Sequence, residues 1–192
     1  MTDLLEIRWH GRGGQGAKTA AMLLAEIVSA AGKFIQGFPE YGPERMGAPV
    51  LAYNRISNRP ISLHCQVTNP GVVVVLDATL LETQDVAEGV PEDGIILINT
   101  QRSPAEMRRK LDLEGRRLYT VDADQISLET LGKPIPNTPM IGALMKVTAL
   151  MDYEPFIEAA EAQLKRKFAT KPHLVPGNVD AVRRAYREVK SE

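Results

Sequence analysis

Six consecutive residues near the N-terminus, Gly11-Arg12-Gly13-Gly14-Gln15-Gly16, carry the clearest chemical potential in this chain, with Lys18 two positions beyond. Glycines at 11, 13 and 16 let a backbone approach a phosphate. The helix that should begin at Ala17 would supply free N–H groups and a positive dipole end, and Arg12 and Lys18 could add charge-assisted contacts. The spacing satisfies G-x-G-x-x-G between a strand and a helix, the context of a dinucleotide-binding turn. That reading also requires an acid about 20 residues further on to hold a ribose. Phe34-Ile35-Gln36-Gly37 has none, and Glu40 arrives only after Pro39. Comparison with G-x-x-x-x-G-K-[ST] fails differently, because Ala17 precedes Lys18-Thr19 and the extra residue turns the lysine by about 100° on the helix. Nucleotide hydrolysis is therefore not expected. A third reading is purely structural: the glycines allow tight strand-to-helix packing and bind nothing.

The second unusual stretch runs from Phe38 to Pro49. It combines Pro39, Gly42, Pro43, Gly47 and Pro49 with Glu40, Glu44, Arg45 and Tyr41. So many breakers exclude a regular element, and Phe38, Tyr41 and Met46 are apolar groups that a monomer would not leave exposed together. The stretch should leave the carboxyl end of a strand beside the glycine loop, as a docking surface or a solvated connection. Elsewhere the chemistry reads as structural. Asp77 and Asp122 each follow a strand and suit helix caps; Asn137-Thr138-Pro139 reads as a cap with proline at the first helical position. His64-Cys65 is placed in a strand with a packed thiol, and Lys165-Arg166-Lys167 complements a helix dipole.

Strands and helices must hold these groups in place. Strand-like runs fall at residues 5–10, 33–37, 72–76, 95–98 and 117–121, and a hairpin is expected between 50–56 and 61–67. Val72 to Leu76 has the uniformly apolar, β-branched look of a central parallel strand. Helical spacing covers 17–31, 79–88, 104–111 and 125–131, then 139–151, 153–168 and 178–189. Strand–helix alternation implies an open α/β sheet with C-terminal helices. At 192 residues, with no long linker, the chain reads as one domain, residues 1–192, with a helical tail from about 153.

Composition excludes several classes. Hydrophobic residues make up 44% and charged residues 24%, an ordinary globular balance. The 23 basic and 24 acidic side chains leave a net charge of −1, which argues against nucleic acid and polybasic membrane binding. No apolar run approaches the ~18 residues of a membrane span, and the N-terminus lacks a signal-peptide pattern, so a cytoplasmic setting is expected. The chain has one cysteine, whereas an iron–sulfur cluster needs about four ligands. His10, His64 and His173 lack metal-site spacing, so no metal site is expected.

Several blocks together resemble the gamma subunit of 2-oxoacid:ferredoxin oxidoreductases, the pyruvate synthase family. They are Ile7-Arg8-Trp9-His10 running into the glycine loop and Lys18, the stretch Phe38 to Pro49, Ala52-Tyr53-Asn54-Arg55-Ile56, Val73-Val74-Val75-Leu76-Asp77, and Pro136-Asn137-Thr138-Pro139-Met140-Ile141-Gly142-Ala143. The blocks keep the family's order and cover most of residues 6–150. The resemblance implies a Rossmann-like open, mostly parallel sheet with a β-hairpin insertion and C-terminal helices. It further implies a complex in which alpha, beta and delta subunits hold thiamine diphosphate, Mg and iron–sulfur (4Fe–4S) clusters. The family reaction joins a 2-oxoacid, coenzyme A and oxidised ferredoxin to give acyl-CoA, carbon dioxide and reduced ferredoxin.

This chain would then carry no catalytic residue and would be inactive alone. Gly11, Arg12, Gly13, Gly14, Gln15, Gly16 and Lys18 are the candidate coenzyme A contacts, and Phe38, Tyr41, Glu44, Arg45 and Met46 the candidate interface. Alternatives are another 2-oxoacid, branched-chain or aryl, or a free-standing NAD(P)-binding oxidoreductase. A non-enzymatic scaffold is not separable from a noncatalytic subunit by sequence.

Overall fold

The computed structural model describes residues 4–40, 46–111 and 115–192. The elements in chain order are β1 (Leu4–Arg12), α1 (Ala17–Ala30), β2 (Phe34–Pro39), β3 (Pro49–Ser57), β4 (Val72–Val75), β5 (Ile95–Asn99), α2 (Pro104–Leu111), β6 (Arg117–Val121), α3 (Ala123–Leu131), α4 (Asn137–Thr148), α5 (Tyr153–Lys167), α6 (Val175–Glu188) and β7 (Lys190–Ser191). Among the described residues the strands form one seven-stranded sheet in the order β2-β3-β1-β4-β5-β6-β7. β1, β4, β5 and β6 run parallel, whereas β3 lies antiparallel between β1 and β2, and β7 closes the far edge antiparallel to β6. The expected α/β class holds, and the four valines of β4 are buried, as a strand covered on both faces requires.

The two faces are unequal. Ile7, Trp9, Val72, Val74 and Leu97 point into a large core built with α1, α4, α5 and α6. Val73, Val75, Ile96 and Ile98 face a smaller one closed by Met107 of α2 and by Val86 and Val90. α4 lies deep: Met140 to Met145 is buried throughout, and Gly142 lets α6 pass so close that an added Cβ would sit about 2.1 Å from the Val182 carbonyl.

Four local expectations are corrected. The hairpin partner of β3 is β2, not residues 61–67. Both edges of β3 are occupied, by β1 and β2, so no edge remains for a further strand. Residues 61–65 instead lie where their carbonyls accept from side chains, Gln36 Nε2 to Ile61 and Leu63 and Arg55 Nη2 to Cys65 (2.7 Å). Cys65 is accordingly exposed and lies outside any strand. The expected helix at 79–88 shrinks to a 3₁₀ turn, Ala78–Glu82, because the amides of Val86, Ala87 and Glu88 donate to the Gln84 carbonyl, to Asp85 Oδ1 and to the Asp85 carbonyl and not to carbonyls four residues back. Finally, Pro136 caps α4 and Pro139 is its third residue, still within the first turn, where a missing N–H breaks no helical bond.

A buried polar node fixes α1 to the sheet. Trp9 Nε1 donates to Asn54 Oδ1 at 2.8 Å, and Asn54 Nδ2 donates to the Ala21 carbonyl at 2.9 Å. Both side chains are fully buried. Asn54→Leu should leave the indole N–H and a helix carbonyl without partners, at a cost of about 1–3 kcal/mol. Urea unfolding followed by fluorescence of Trp9, the chain's only tryptophan, should show a lowered midpoint, and an unchanged midpoint would remove the node from the stability of the fold.

Candidate functional site

β1 ends at Arg12, and the chain must reverse within four residues to start α1 antiparallel above the sheet. Gly14 and Gly16 make this turn in the left-handed region, at φ 97° and 83°. At Gly16 a Cβ would also meet the Asn137 side chain at 2.5 Å, so the start of α4 lies directly against the turn. No side chain caps α1, and the amides of its first turn are left to solvent or to a ligand.

The loop is braced from two sides. Residues 46–48 lie beside it, whereas Phe38, Pro39 and Pro49, expected outside any regular element, end β2 and begin β3. Gly13 N donates to the Ala48 carbonyl (2.8 Å) and Gly47 N to the Gly13 carbonyl (3.0 Å), with a parallel bridge from Gly13 to Met46. On the other side stands Asp77, at the end of β4. Its Oδ2 accepts from Gln15 Nε2 (2.7 Å) and Arg12 Nε (3.1 Å), and its Oδ1 from the Thr79 amide (2.9 Å) and hydroxyl (2.6 Å). Gln15 Oε1 in turn accepts from the Arg12 amide at 2.7 Å. Asp77 is thus the cap that was expected and also the anchor of the loop. The second role is not readable from the local sequence, because it requires β4 to lie beside β1.

This bracing separates the two candidate cations. Arg12 is committed to Asp77, to the Thr79 hydroxyl (2.8 Å) and to the Gly47 carbonyl (3.1 Å). Lys18 is exposed and makes no hydrogen bond or ion pair among the described residues. Both line a cleft of about 350 Å³ with Gly13, Gly14, Glu40 and Met46. Gln15 is used within the loop and is not free to reach a ligand. Met46 is 90% exposed. Phe38 is half-buried, its ring 5.4 Å from that of Tyr53 and beneath the Arg55 guanidinium at 5.3 Å. Tyr41, Glu44 and Arg45 lie outside the described residues.

Two polar pairs escaped the sequence reading, Arg8 with His10 on β1 and Tyr53 of β3 with Glu40. Arg8 Nε donates to His10 Nε2 at 3.0 Å. Burial and the Arg8 cation push His10 down to about 3, so it is a neutral acceptor near pH 7 and no proton donor. Glu40 accepts from the Tyr53 hydroxyl at 2.7 Å; burial first, and then this carboxylate, raise the phenol. Alternation along β1 and β3 contains the signal for this polar layer, since Arg8 and His10 share one face of β1.

The dinucleotide reading meets a further obstacle. In a dinucleotide fold the strand after the first helix pairs directly with β1, whereas here β3 intervenes, and the strand end that should hold a ribose acid is displaced by one position. Among the described residues no three of His, Cys, Asp or Glu converge as a metal set, and no helix is long and apolar enough to cross a membrane.

Fold and loop together define a Rossmann-like domain with a glycine-lined cleft at the start of α1. The chain belongs to the pyruvate ferredoxin/flavodoxin oxidoreductase family, whose model matches residues 6–188, and the expected family is thereby borne out. It is 47% identical over 187 residues to the "Pyruvate/ketoisovalerate oxidoreductases common subunit gamma" of Pyrococcus abyssi, covering 97% of this chain and 98% of that one. It superposes on the crystal structure of the pyruvate oxidoreductase subunit PORC from Thermotoga maritima with a TM-score of 0.86 and 43% identity, over 100% of this chain and 99% of that one. The same fold recurs in 2-oxoglutarate:ferredoxin oxidoreductase from Magnetococcus marinus, at a TM-score of 0.77 and 19% identity, over 97% of this chain and 31% of that longer one.

The Asp77 anchor has a pH signature. Burial acts to raise its carboxyl, but the Thr79 hydroxyl, Gln15, the Thr79 amide and the Arg12 cation outweigh it and hold the group below the usual carboxylate range. A depressed folded-state pKa adds stability above the unfolded value, about 3.9 for aspartate, and that stability is lost as pH falls through the folded value. Wild-type protein should therefore lose stability on acidification below about pH 4 more steeply than Asp77→Asn. Urea midpoints measured in parallel across that range test this, and equal slopes would count against the anchor.

Proposed function

We propose that this chain is the noncatalytic gamma subunit of a complex with alpha, beta and delta subunits. The complex joins pyruvate, coenzyme A and oxidised ferredoxin to give acetyl-CoA, carbon dioxide and reduced ferredoxin. Thiamine diphosphate, Mg and the 4Fe–4S clusters belong to the other subunits in this reading; a chain with one cysteine cannot supply a cluster's ligands. Residues 1–192 act as one gamma domain, in the cytoplasm, where the ferredoxin partner is reduced. The relatives' names support the reaction class. The Pyrococcus abyssi name also favours a second reading, in which one gamma chain serves both a pyruvate and a ketoisovalerate enzyme. A gamma chain that leaves 2-oxoacid recognition to its partners suits such sharing.

The contribution assigned to this chain is toward coenzyme A. One observation carries it: Lys18 is an exposed cation of the glycine-loop cleft without a hydrogen bond or ion pair among the described residues, beside first-turn amides that lack a side-chain cap. Phosphate groups suit that combination. Arg12 serves it indirectly by holding the loop to Asp77. In the assembled complex Lys18→Ala should raise KM for coenzyme A and leave KM for the 2-oxoacid nearly unchanged, a difference of about 1–3 kcal/mol for one charge-assisted contact. Equal kinetics for both substrates would leave the loop structural.

The docking role assigned to Phe38, Tyr41, Glu44, Arg45 and Met46 rests now on Met46. A thioether 90% exposed, beside a loop held by its own hydrogen bonds, is an apolar anchor suited to a partner surface. Met46→Asp should weaken assembly of the complex at low protein concentration without lowering the unfolding midpoint of the free subunit. Unchanged assembly would place the interface elsewhere.

A further inference from the structure

A second cleft, about 610 Å³, opens on the outer side of α1, between that helix and the last turns of α5. Its size is that of small-molecule sites, roughly 300–1,000 Å³. Lys18 lines this cleft as well as the glycine-loop cleft, so the two are neighbours around the first turn of α1. Nothing in the coenzyme A reading uses the second one.

Three cations border it, Lys18, Arg166 and Lys167, against one carboxylate, Glu26. Lys18 and Arg166 have no ion-pair partner among the described residues. This contrasts with Lys165 on the same helix, which pairs with Glu161 at 2.7 Å. Lys167 lies over the Phe168 ring, and burial lowers its pKa, with Glu26 opposing that shift. The α5 carbonyls do not need these cations, since the Phe168 and Ala169 amides already close the helix end.

Deep between the cations sits Gln163. It is 7% exposed, lines the cleft, and its amide bonds no described residue. The amide atoms themselves are open to solvent, since Thr120 Oγ1 is the one buried side-chain polar atom without a partner among the described residues, so the amide can exchange water for a ligand's donor and acceptor. Met22, 41% exposed, and Leu23 add an apolar wall on the α1 side. Clustered cations, an uncapped helix start, an amide with one donor and one acceptor side, and an apolar wall match the parts of a phosphorylated nucleoside.

We propose that the α1–α5 cleft binds a nucleoside diphosphate moiety, with Lys18, Arg166 and Lys167 on the phosphates, the base against Met22, and the Gln163 amide on the base edge. The moiety is either a free nucleotide or the nucleotide end of a larger molecule. The test is calorimetric titration of the full chain and of the assembled complex with ADP. One site is expected. Its affinity should fall about tenfold in Gln163→Met, and at least as far in Arg166→Glu combined with Lys167→Glu, while Lys165→Glu leaves it nearly unchanged.

Competition by coenzyme A would identify the moiety as that molecule's nucleotide end, and independent binding would identify a free nucleotide; both outcomes support the site. Three results overturn it: absence of ADP binding at millimolar concentration, binding indifferent to Gln163→Met, or equal loss in Lys165→Glu. Loss of complex assembly in the double charge reversal, without ADP binding by wild type, would make the cleft an interface for an acidic partner segment and overturn it too. Lys18 lines both clefts, so the two readings are separated by Gln163, which lines only the second. ADP affinity in Gln163→Met judges this site, and a raised KM for coenzyme A in Lys18→Ala is assigned to the glycine loop where Gln163→Met leaves that KM unchanged.

Discussion

The hydrogen bond from Trp9 to Asn54, and from Asn54 onward to the Ala21 carbonyl, is the constraint on which the working end of the molecule depends. It joins β1, β3 and α1 at one buried point. Leaving any of its members unpaired would carry the full desolvation cost of a buried polar group. The node sets how close α1 comes to the sheet, and Gly37 on β2 permits that closeness: an added Cβ there would stand 3.2 Å from both the Ala21 carbonyl and Asn54 Nδ2. Fixing α1 fixes its first turn, which carries Lys18, and its outer face, which carries Met22 and Glu26. Both clefts therefore inherit their geometry from one asparagine.

Asp77 performs the complementary task on the other side of the loop. A carboxylate with four donors around it is satisfied on both oxygens. It therefore pins Arg12 and Gln15 and does not itself seek a ligand. The arrangement holds Arg12 in position and leaves Lys18 without a hydrogen bond or ion pair among the described residues. It also couples the loop to β4, the most uniformly apolar strand and one of the least able to shift. A recess preorganised in this way loses little entropy when a ligand enters.

The thin face of the sheet explains why several charged residues are buried with so little chemistry to do. Inserting β3 between β1 and β2 widens the sheet beyond the cover that α2 and the 3₁₀ turn provide. Irregular chain fills the gap, and irregular chain exposes carbonyls. Arg8 takes those of Val86 and Glu88, and Arg55, paired with Glu6 at 2.7 Å, takes that of Cys65. Arg55 is 1% exposed, a burial that only its full set of acceptors sustains. Loops are thus held by arginines from the sheet, where a helix would have held itself.

Strand and helix periodicity and the strand–glycine–helix order were enough to establish the α/β class, most element positions and the glycine loop. These follow from the sequence because they depend on neighbours a few residues apart: apolar spacing selects the buried face, and glycine admits a positive φ. The partner of β3 and the exposed setting of Cys65 depended instead on which edges and carbonyls were already taken by residues of other elements. The same holds at the site. Arg12 and Lys18 look equivalent in the sequence, both basic and both flanking the glycines. Only the placement of β4 beside β1 brings Asp77 to Arg12, while Lys18 meets no partner among the described residues, and only the packing of α5 on α1 brings Gln163, Arg166 and Lys167 to the same cleft as that lysine. Pairwise electrostatics and hydrogen bonding act over a few ångströms of space, and the fold alone decides which residues share that space.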